Sequence, residues 1–273
     1  MAPNRVNQYQ RAFLAWDVLA EVAQSASKKI TYSDLAAKIG IHHRVVNHVL
    51  GVIQEYCIVS GLPPLTILVV NKEHGKPGNG FIAHDPEDFE NGRAMVAAYN
   101  WKALPNPFVF AADGASHFDD LVNQLATNPD SSEEVYRKVK DRGVRQMLFR
   151  KALRQAYDDT CAFTGISYSD DGLLEACHIV PWAEATPAER LDVRNGILLN
   201  PLHHKLFDCQ YLTIDEQHVM HYQDHEQQLW EHNPMEESLT VDLHGKKMLL
   251  PEDSECAPAA EFIARHNKKI SWF

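Results

Sequence analysis

The chain predicts an α+β protein of two domains, a helical one at the N-terminus and a second in which short strands flank a small helix. Three observations predict it. Apolar residues recur at helical spacing through the first half, a run of turn formers at Asn128-Pro129-Asp130-Ser131-Ser132 interrupts the middle, and short β-branched segments bounded by turn residues dominate the second half. With 273 residues there is chain enough for two modest hydrophobic cores. The domains are expected at 1–128 and 129–273.

Residues 9–26 carry Phe13, Leu14, Trp16, Val18, Leu19 and Val22 at helical spacing and predict a first helix. Thr31-Tyr32-Ser33-Asp34 opens a second that runs to Ile39, with Gly40 to end it. A third, over 42–60, comes after a very short turn, the arrangement a helix-turn-helix requires. Residues 65–70 lie between Pro63-Pro64 and the cluster Gly75-Lys76-Pro77-Gly78-Asn79-Gly80, and predict a strand running into a wing-like loop. Residues 85–99 start acidic and continue helical, Pro105-Asn106-Pro107 marks a break, and a further helix is expected over 118–126. Ser131-Ser132-Glu133-Glu134 can cap the next helix, because a Ser oxygen accepts orphan amide hydrogens while a Glu reaches back. One long basic helix over 133–157 is the expectation. Beyond it, 173–180 reads as a strand stopped by Pro181, 202–208 as the start of a short helix, 211–214, 219–222 and 247–250 as short strands, and 258–267 as a last helix.

The 45% hydrophobic and 23% charged fractions are those of an ordinary globular protein, and no apolar run approaches the roughly 20 residues of a membrane span. Met-Ala-Pro-Asn-Arg lacks the apolar core of a secretion signal, so a cytoplasmic location is expected. The five cysteines (Cys57, Cys161, Cys177, Cys209, Cys256) are odd in number and contain no Cys-x-x-Cys, so neither a disulfide framework nor a structural zinc site is expected. A formal net charge of −11 weighs against a polyanionic partner until its distribution is considered. Between residues 137 and 154 the chain carries Arg137, Lys138, Lys140, Arg142, Arg145, Arg150, Lys151 and Arg154 against Asp141 alone, while the acidic excess lies at 85–90 and after Asp208. A basic stripe therefore precedes the segment richest in reactive side chains.

That segment contains Leu174-Glu175-Ala176-Cys177-His178-Ile179-Val180-Pro181, then Arg194-Asn195-Gly196, then Leu202-His203-His204-Lys205-Leu206-Phe207-Asp208. Hydrolysis of a phosphodiester needs a base to activate water, something to hold that base, and a cation to neutralise charge on the phosphate and leaving oxygen. His178 stands at a strand end beside a loop, and an unperturbed imidazole, with a pKa of about 6.5, can accept the proton. The amide of Asn195 can fix the loop carrying His178 or complete a metal shell. His204 and Asp208 lie four residues apart on one helix face, a spacing that suits two ligands to one divalent ion.

These stretches, with Cys161-Ala162-Phe163-Thr164-Gly165, Asn195-Gly196-Ile197-Leu198-Leu199, Leu250-Pro251-Glu252-Asp253 and the chain end from His266 to Phe273, resemble the HNH endonucleases of restriction-type systems over residues 145–273. The resemblance implies a ββα-metal core with His178 as general base, Asn195 as the residue orienting its loop, and His204 as a ligand of a catalytic Mg2+ or Mn2+ ion. The family places an Asp or His ligand before the base, where this chain has Cys177, and a thiol is a poor partner for hard Mg2+. Asp208, His203 or Glu175, in that order, is then expected to fill the shell. Cys161 lacks the zinc-binding partners of some relatives and is expected to be buried.

The N-terminal part resembles, through Lys29-Ile30-Thr31-Tyr32-Ser33-Asp34-Leu35-Ala36, Arg44-Val45-Val46 and Val69-Val70-Asn71-Lys72-Glu73-His74-Gly75, the winged-helix DNA-binding domain of alkyltransferase-like proteins. The alkyl-accepting Pro-Cys-His-Arg motif is missing, since Pro64-Leu65-Thr66-Ile67 has no thiol. What remains is DNA recognition, with Arg44 entering a groove or filling space beside a displaced base and His42, His43, Asn47 and His48 beside it. Lys72 and Lys76 on the wing, and Arg145, Arg150, Lys151 and Arg154 on the basic helix, complete the expected DNA-binding set.

The combined expectation is a metal-dependent HNH endonuclease of restriction or host-defence type, acting on double-stranded DNA. One such site cuts one strand, so a homodimer is expected for a double-strand break. Two alternatives stand beside it: a nuclease effector gated by a partner or signal, and a DNA-binding protein whose HNH fold has lost catalysis.

Overall fold

The computed structural model describes residues 5–169, 173–223 and 233–273. Residues 1–4, part of the segment read for a secretion signal, lie outside it. The protein is of mixed α+β class, and its chain forms two compact units that interleave in sequence: Met1–Asp120 with Lys138–Met147, and Leu121–Arg137 with Leu148–Phe273. Among the described residues no helix is long and apolar enough to cross a membrane.

In the first unit, α1 (Gln8–Ala23) starts where the Asn7 side chain accepts a hydrogen bond from the Gln10 amide, satisfying one of the orphan N–H groups of the first turn. Its buried face presents Tyr9, Trp16 and Leu19. Tyr9 stacks on Phe118 at 4.2 Å, and Trp16 meets Tyr56, Trp101 and Phe108 edge-on, so aromatic rings in their favoured geometries fill this core. The short strand β1 (Ile30–Thr31) runs into α2 (Tyr32–Ile39), where Thr31 caps the Asp34 amide and Gly40 ends the helix at φ 69°. Only a residue without a Cβ adopts that left-handed conformation at no cost. A 3-10 turn over His43–Val45 leads into α3 (Val46–Val59).

Residues 65–70 differ from the predicted strand. Leu65–Leu68 coil into a 3-10 turn, and only β2 (Val69–Val70) is extended, pairing in parallel with β1. The reason is burial: Leu65, Ile67 and Leu68 are all inside, and a turn packs side chains on more than two sides where a strand offers only alternate faces. The next helix is α4 (Phe89–Ala98).

The single basic helix is also two. After α5 (Phe118–Thr127), α6 (Ser132–Lys138) and α7 (Arg142–Ala156) are separated at residues 139–141. Asp141, the one acid of the basic run, accepts a hydrogen bond from the Val144 amide at 2.9 Å and so caps α7. It also accepts one from the Tyr56 hydroxyl, and Gly143 lies where an added Cβ would meet Ser60 Oγ at 2.2 Å and Tyr56 Cε2 at 2.7 Å.

In the second unit, β3 (Glu175–His178) and β4 (Gly196–Leu199) pair antiparallel, with Cys177 opposite Ile197 and His178 opposite Gly196. α8 (Pro201–Asp208) begins directly after β4, capped by the Asn200 side chain with Pro201 in its first turn. Strands β5 (Leu212–Ile214) and β6 (Met220–Tyr222) form a second hairpin, then come α9 (Pro234–Leu239) and α10 (Ala260–Asn267). Of the strand expected over 247–250 only a single bridge, Lys247 to Val219, forms. Asp215 closes the β5–β6 turn by accepting from the Gln217 and Val219 amides and from His221 Nε2, each at 2.9 Å. Burial opposes ionisation of this carboxyl, but the His221 and amide hydrogen bonds outweigh it and hold the group below the usual carboxylate range.

Replacing Asp141 by Ala is expected to cost about 1–2 kcal/mol in urea unfolding, the loss of a helix cap and of the Tyr56 hydrogen bond together. A depressed folded pKa gives stability that is present above the unfolded value and lost as pH falls through the folded one. The advantage of the wild type over Asp215→Asn should therefore be complete above about pH 5 and fade as the medium is acidified below about pH 4, measured by unfolding across that range.

Candidate active site

Successive residues of a strand point to opposite faces, and β3 uses both. Glu175 and Cys177 share the face toward α8, where His204 Nδ1 donates a hydrogen bond to Glu175 Oε2. His204 Nε2 then stands 3.6 Å from Asp208 Oδ2, one helical turn on. Ligand atoms of Cys177, His204 and Asp208 all lie within 4.8 Å of one another. The carboxylate behind the imidazole fixes the tautomer, so the lone pair is on Nε2 and directed at the group, the arrangement of metal-binding histidines generally. Cys177 is fully buried, and burial pushes its thiol well above its ordinary pKa, with the Asp208 and Glu175 charges adding to the effect.

His178 faces the other way. Its ring stacks on Phe149 of α7 at 3.8 Å and 14°, and meets the edge of Trp182 at 5.8 Å and 90°. Nε2 lies 3.2 Å from the Arg190 carbonyl. A carbonyl only accepts, so Nε2 carries the proton and Nδ1 is left with a lone pair. Burial lowers the pKa to about 4; the Arg190 carbonyl opposes this, and the nearby His204 adds to it. His178 is a neutral imidazole at neutral pH, with its ring plane fixed on two sides.

Arg190 holds its own segment in place. Its Nε donates to the Trp182 carbonyl, its Nη1 to the Tyr136 hydroxyl, and its guanidinium lies over the Trp182 ring. Asn195, fully buried, does the same from the other side: its Oδ1 accepts from the Val180 amide at 2.8 Å, and its Nδ2 donates to the Val180 and Glu189 carbonyls. All of its hydrogen-bonding capacity toward this loop is spent on backbone, which ties the end of β3 to the start of β4. Gly196 is required next to it, because an added Cβ would lie 2.7 Å from Phe149 Cζ and 3.0 Å from Leu153 Cδ1.

The structure thus brings His204, Asp208 and Cys177 together, sets Glu175 behind His204, and places His178 and Asn195 on the adjoining strand ends. His203 is not among them. It is fully buried, with Nδ1 against Asn200 Oδ1 and Nε2 against the Leu239 carbonyl. Cys161 is buried as expected, and burial alone would raise its thiol. Hydrogen bonds from His203, Thr164 and the Asn200 amide lower it instead to about 7. Phe149, Trp182 and Arg190 were not singled out by sequence reasoning; Trp182, an aromatic immediately after the strand-stopping Pro181, was the one available signal.

The residues expected to contact DNA divide by exposure. His43, Arg44, Asn47 and Lys72 are exposed on the first unit. Arg145 and Arg154 are buried: Arg145 Nε donates to the Val139 carbonyl, and Arg154 pairs with Asp159 and donates to the Tyr168 and Ser169 carbonyls. Arg150 and Lys151 are half-buried, and Arg150 donates to the Leu174 carbonyl.

A short strand pair that ends in a half-buried histidine, followed by a helix bearing His204 and Asp208, is the arrangement of an HNH nuclease domain. Residues 161–215, which contain Glu175, Cys177, His178, Asn195, His204 and Asp208, match the family model of the HNH endonucleases. No curated protein matches the chain. The protein carries an HNH endonuclease domain in its C-terminal half and is a nuclease whose substrate is DNA.

Gly196→Ala is expected to lower stability by about 1–3 kcal/mol, the cost of overpacking a filled site, measured by urea unfolding. It should also reduce nuclease activity by more than its effect on folded fraction explains, because the displaced ring of Phe149 is the one that holds His178.

Proposed function

We propose that the protein is a metal-dependent DNA endonuclease of restriction or host-defence type, with His178 as its general base. The observation that carries this reading is His178 itself. It is neutral, oriented through Nε2 and two aromatic rings, and comes directly after the residue that joins His204 and Asp208. A proton acceptor and a cluster of metal-binding side chains on consecutive strand positions are the two parts that phosphodiester hydrolysis needs.

In this mechanism the Nδ1 lone pair of His178 takes a proton from a water molecule that attacks phosphorus in line. The Arg190 carbonyl accepts the Nε2 hydrogen bond more strongly as charge develops on the ring, which favours the protonated state as it forms. Asn195 keeps the loop from moving away. His204 and Asp208 would hold a divalent ion, which when bound neutralises charge on the phosphate and the departing 3′ oxygen. The donor set suits such an ion, since it offers an imidazole lone pair held by a carboxylate and a second, exposed carboxylate. Products would carry 5′ phosphates.

His43, Arg44, Asn47 and Lys72, exposed on the first unit, are proposed to contact double-stranded DNA as a winged-helix-like reader, with Arg150 and Lys151 contributing from α7. Arg145 and Arg154, turned inward, would act on DNA binding only by holding that helix. One site cuts one strand, and a homodimer would give a double-strand break.

The test is cleavage of plasmid DNA, both unmodified and base-modified, with Mg2+, Mn2+ or EDTA. Wild-type protein should cut only with metal, and His178→Ala should lose about 10²–10⁴-fold in rate while retaining DNA binding. Cleavage in EDTA, or undiminished cleavage by His178→Ala, would overturn the mechanism.

A further inference from the structure

We propose that Cys177 is itself a ligand, so that Cys177 Sγ, His204 Nε2 and Asp208 Oδ2 form a mixed sulfur, nitrogen and oxygen site that takes Zn2+, Co2+ or Ni2+ in preference to Mg2+. This rests on the reading of His204 and Asp208 as metal-binding residues, and deepens it by naming the class of ion.

The geometry comes first. The three ligand atoms lie within 4.8 Å of one another, and the His204–Asp208 separation is 3.6 Å. Nitrogen and oxygen ligands about 2.0–2.1 Å from one tetrahedral ion are about 3.4 Å apart, so this pair is already close to the spacing an ion would impose. Cys177 sits on β3 with the same facing as Glu175, and Glu175 already reaches His204.

The surroundings of Cys177 argue against plain packing. A buried cysteine that only fills space lies among hydrocarbon groups. This one lies within 4.8 Å of ligand atoms of His204 and Asp208, and its hydrogen bond to the His178 carbonyl is a long one, 3.8 Å. A thiol, an imidazole lone pair and a carboxylate grouped this closely are donors that one divalent cation can share. On binding, the S–H bond breaks, its proton leaves to solvent, and the electron pair forms the S–metal bond, so one positive charge is released for the two that enter.

Donor softness then decides the ion. Thiolate favours zinc and its neighbours, and imidazole suits the same metals. Mg2+ demands an oxygen-rich, near-octahedral shell and gains little from sulfur. The residue that fits Mg2+ poorly is the one that gives this site its selectivity.

The test is a Co2+ titration of the metal-free 273-residue chain, followed by near-ultraviolet absorption, where thiolate-to-cobalt charge transfer appears, with bound cobalt counted after dialysis. Wild type and Cys209→Ser, which removes the exposed cysteine next to α8, should both show the sulfur band, and excess Mg2+ should not abolish it. Cys177→Ser should lose the band. Cobalt bound by the wild type without that band, or a band that survives in folded Cys177→Ser, overturns the ligand role of Cys177 and leaves the His204–Asp208 site standing. Wild-type protein that binds no cobalt overturns the metal site itself.

Discussion

The alternation of side chains along β3 is the constraint on which the site depends. Because neighbouring strand residues face opposite ways, one four-residue strand supplies a group to α8 through Cys177 and a group to α7 through His178. The strand is kept in register by its pairing with β4 and by Asn195, whose side chain holds backbone groups on the loop between them. A slip of one residue would exchange the two faces and put the thiol against Phe149. Two features of the second unit oppose that slip: Phe149 and Leu153 lie against Gly196, and Arg190 holds the loop through the Trp182 carbonyl.

The environment of His178 shows how burial sets the chemistry of a side chain. Removing the imidazole from water disfavours its cationic form, and the effect exceeds the opposing pull of the Arg190 carbonyl. The same carbonyl decides which nitrogen carries the proton. Burial thus determines the charge and a single backbone oxygen determines the tautomer, two properties that an imidazole at the protein surface would leave to solvent.

Local signals were legible in the sequence and tertiary ones were not. Thr31 and Gly40 bounded α2 as expected, because a cap and a left-handed terminus are properties of a few adjacent residues. The His, Asn and His motif was legible for the same reason. The break between α6 and α7 was hidden by the surrounding positive charge, which made Asp141 look like an exception when it was a cap. Arg145 and Arg154 read as a basic surface because their carbonyl and carboxylate partners lie up to 15 residues away. Between His203 and His204 a signal did exist: His203 shares a helix face with buried Phe207, and His204 with exposed Asp208. Cys177 was set aside on the chemistry of magnesium, and only the folded strand places its sulfur beside His204 and Asp208.

The interleaving of the two units bears on how such a protein can evolve. The chain leaves the first unit at Asp120, returns to it from Lys138 to Met147, and departs again along α7. A single crossover between two related genes anywhere from 121 to 147 would separate Lys138–Met147, or part of it, from one of its contexts, and with it Asp141, which Tyr56 hydrogen-bonds. Exchange of the first unit for an unrelated one would here need two coordinated breakpoints. Divergence of this lineage is accordingly expected to proceed by substitution within the first unit rather than by its replacement.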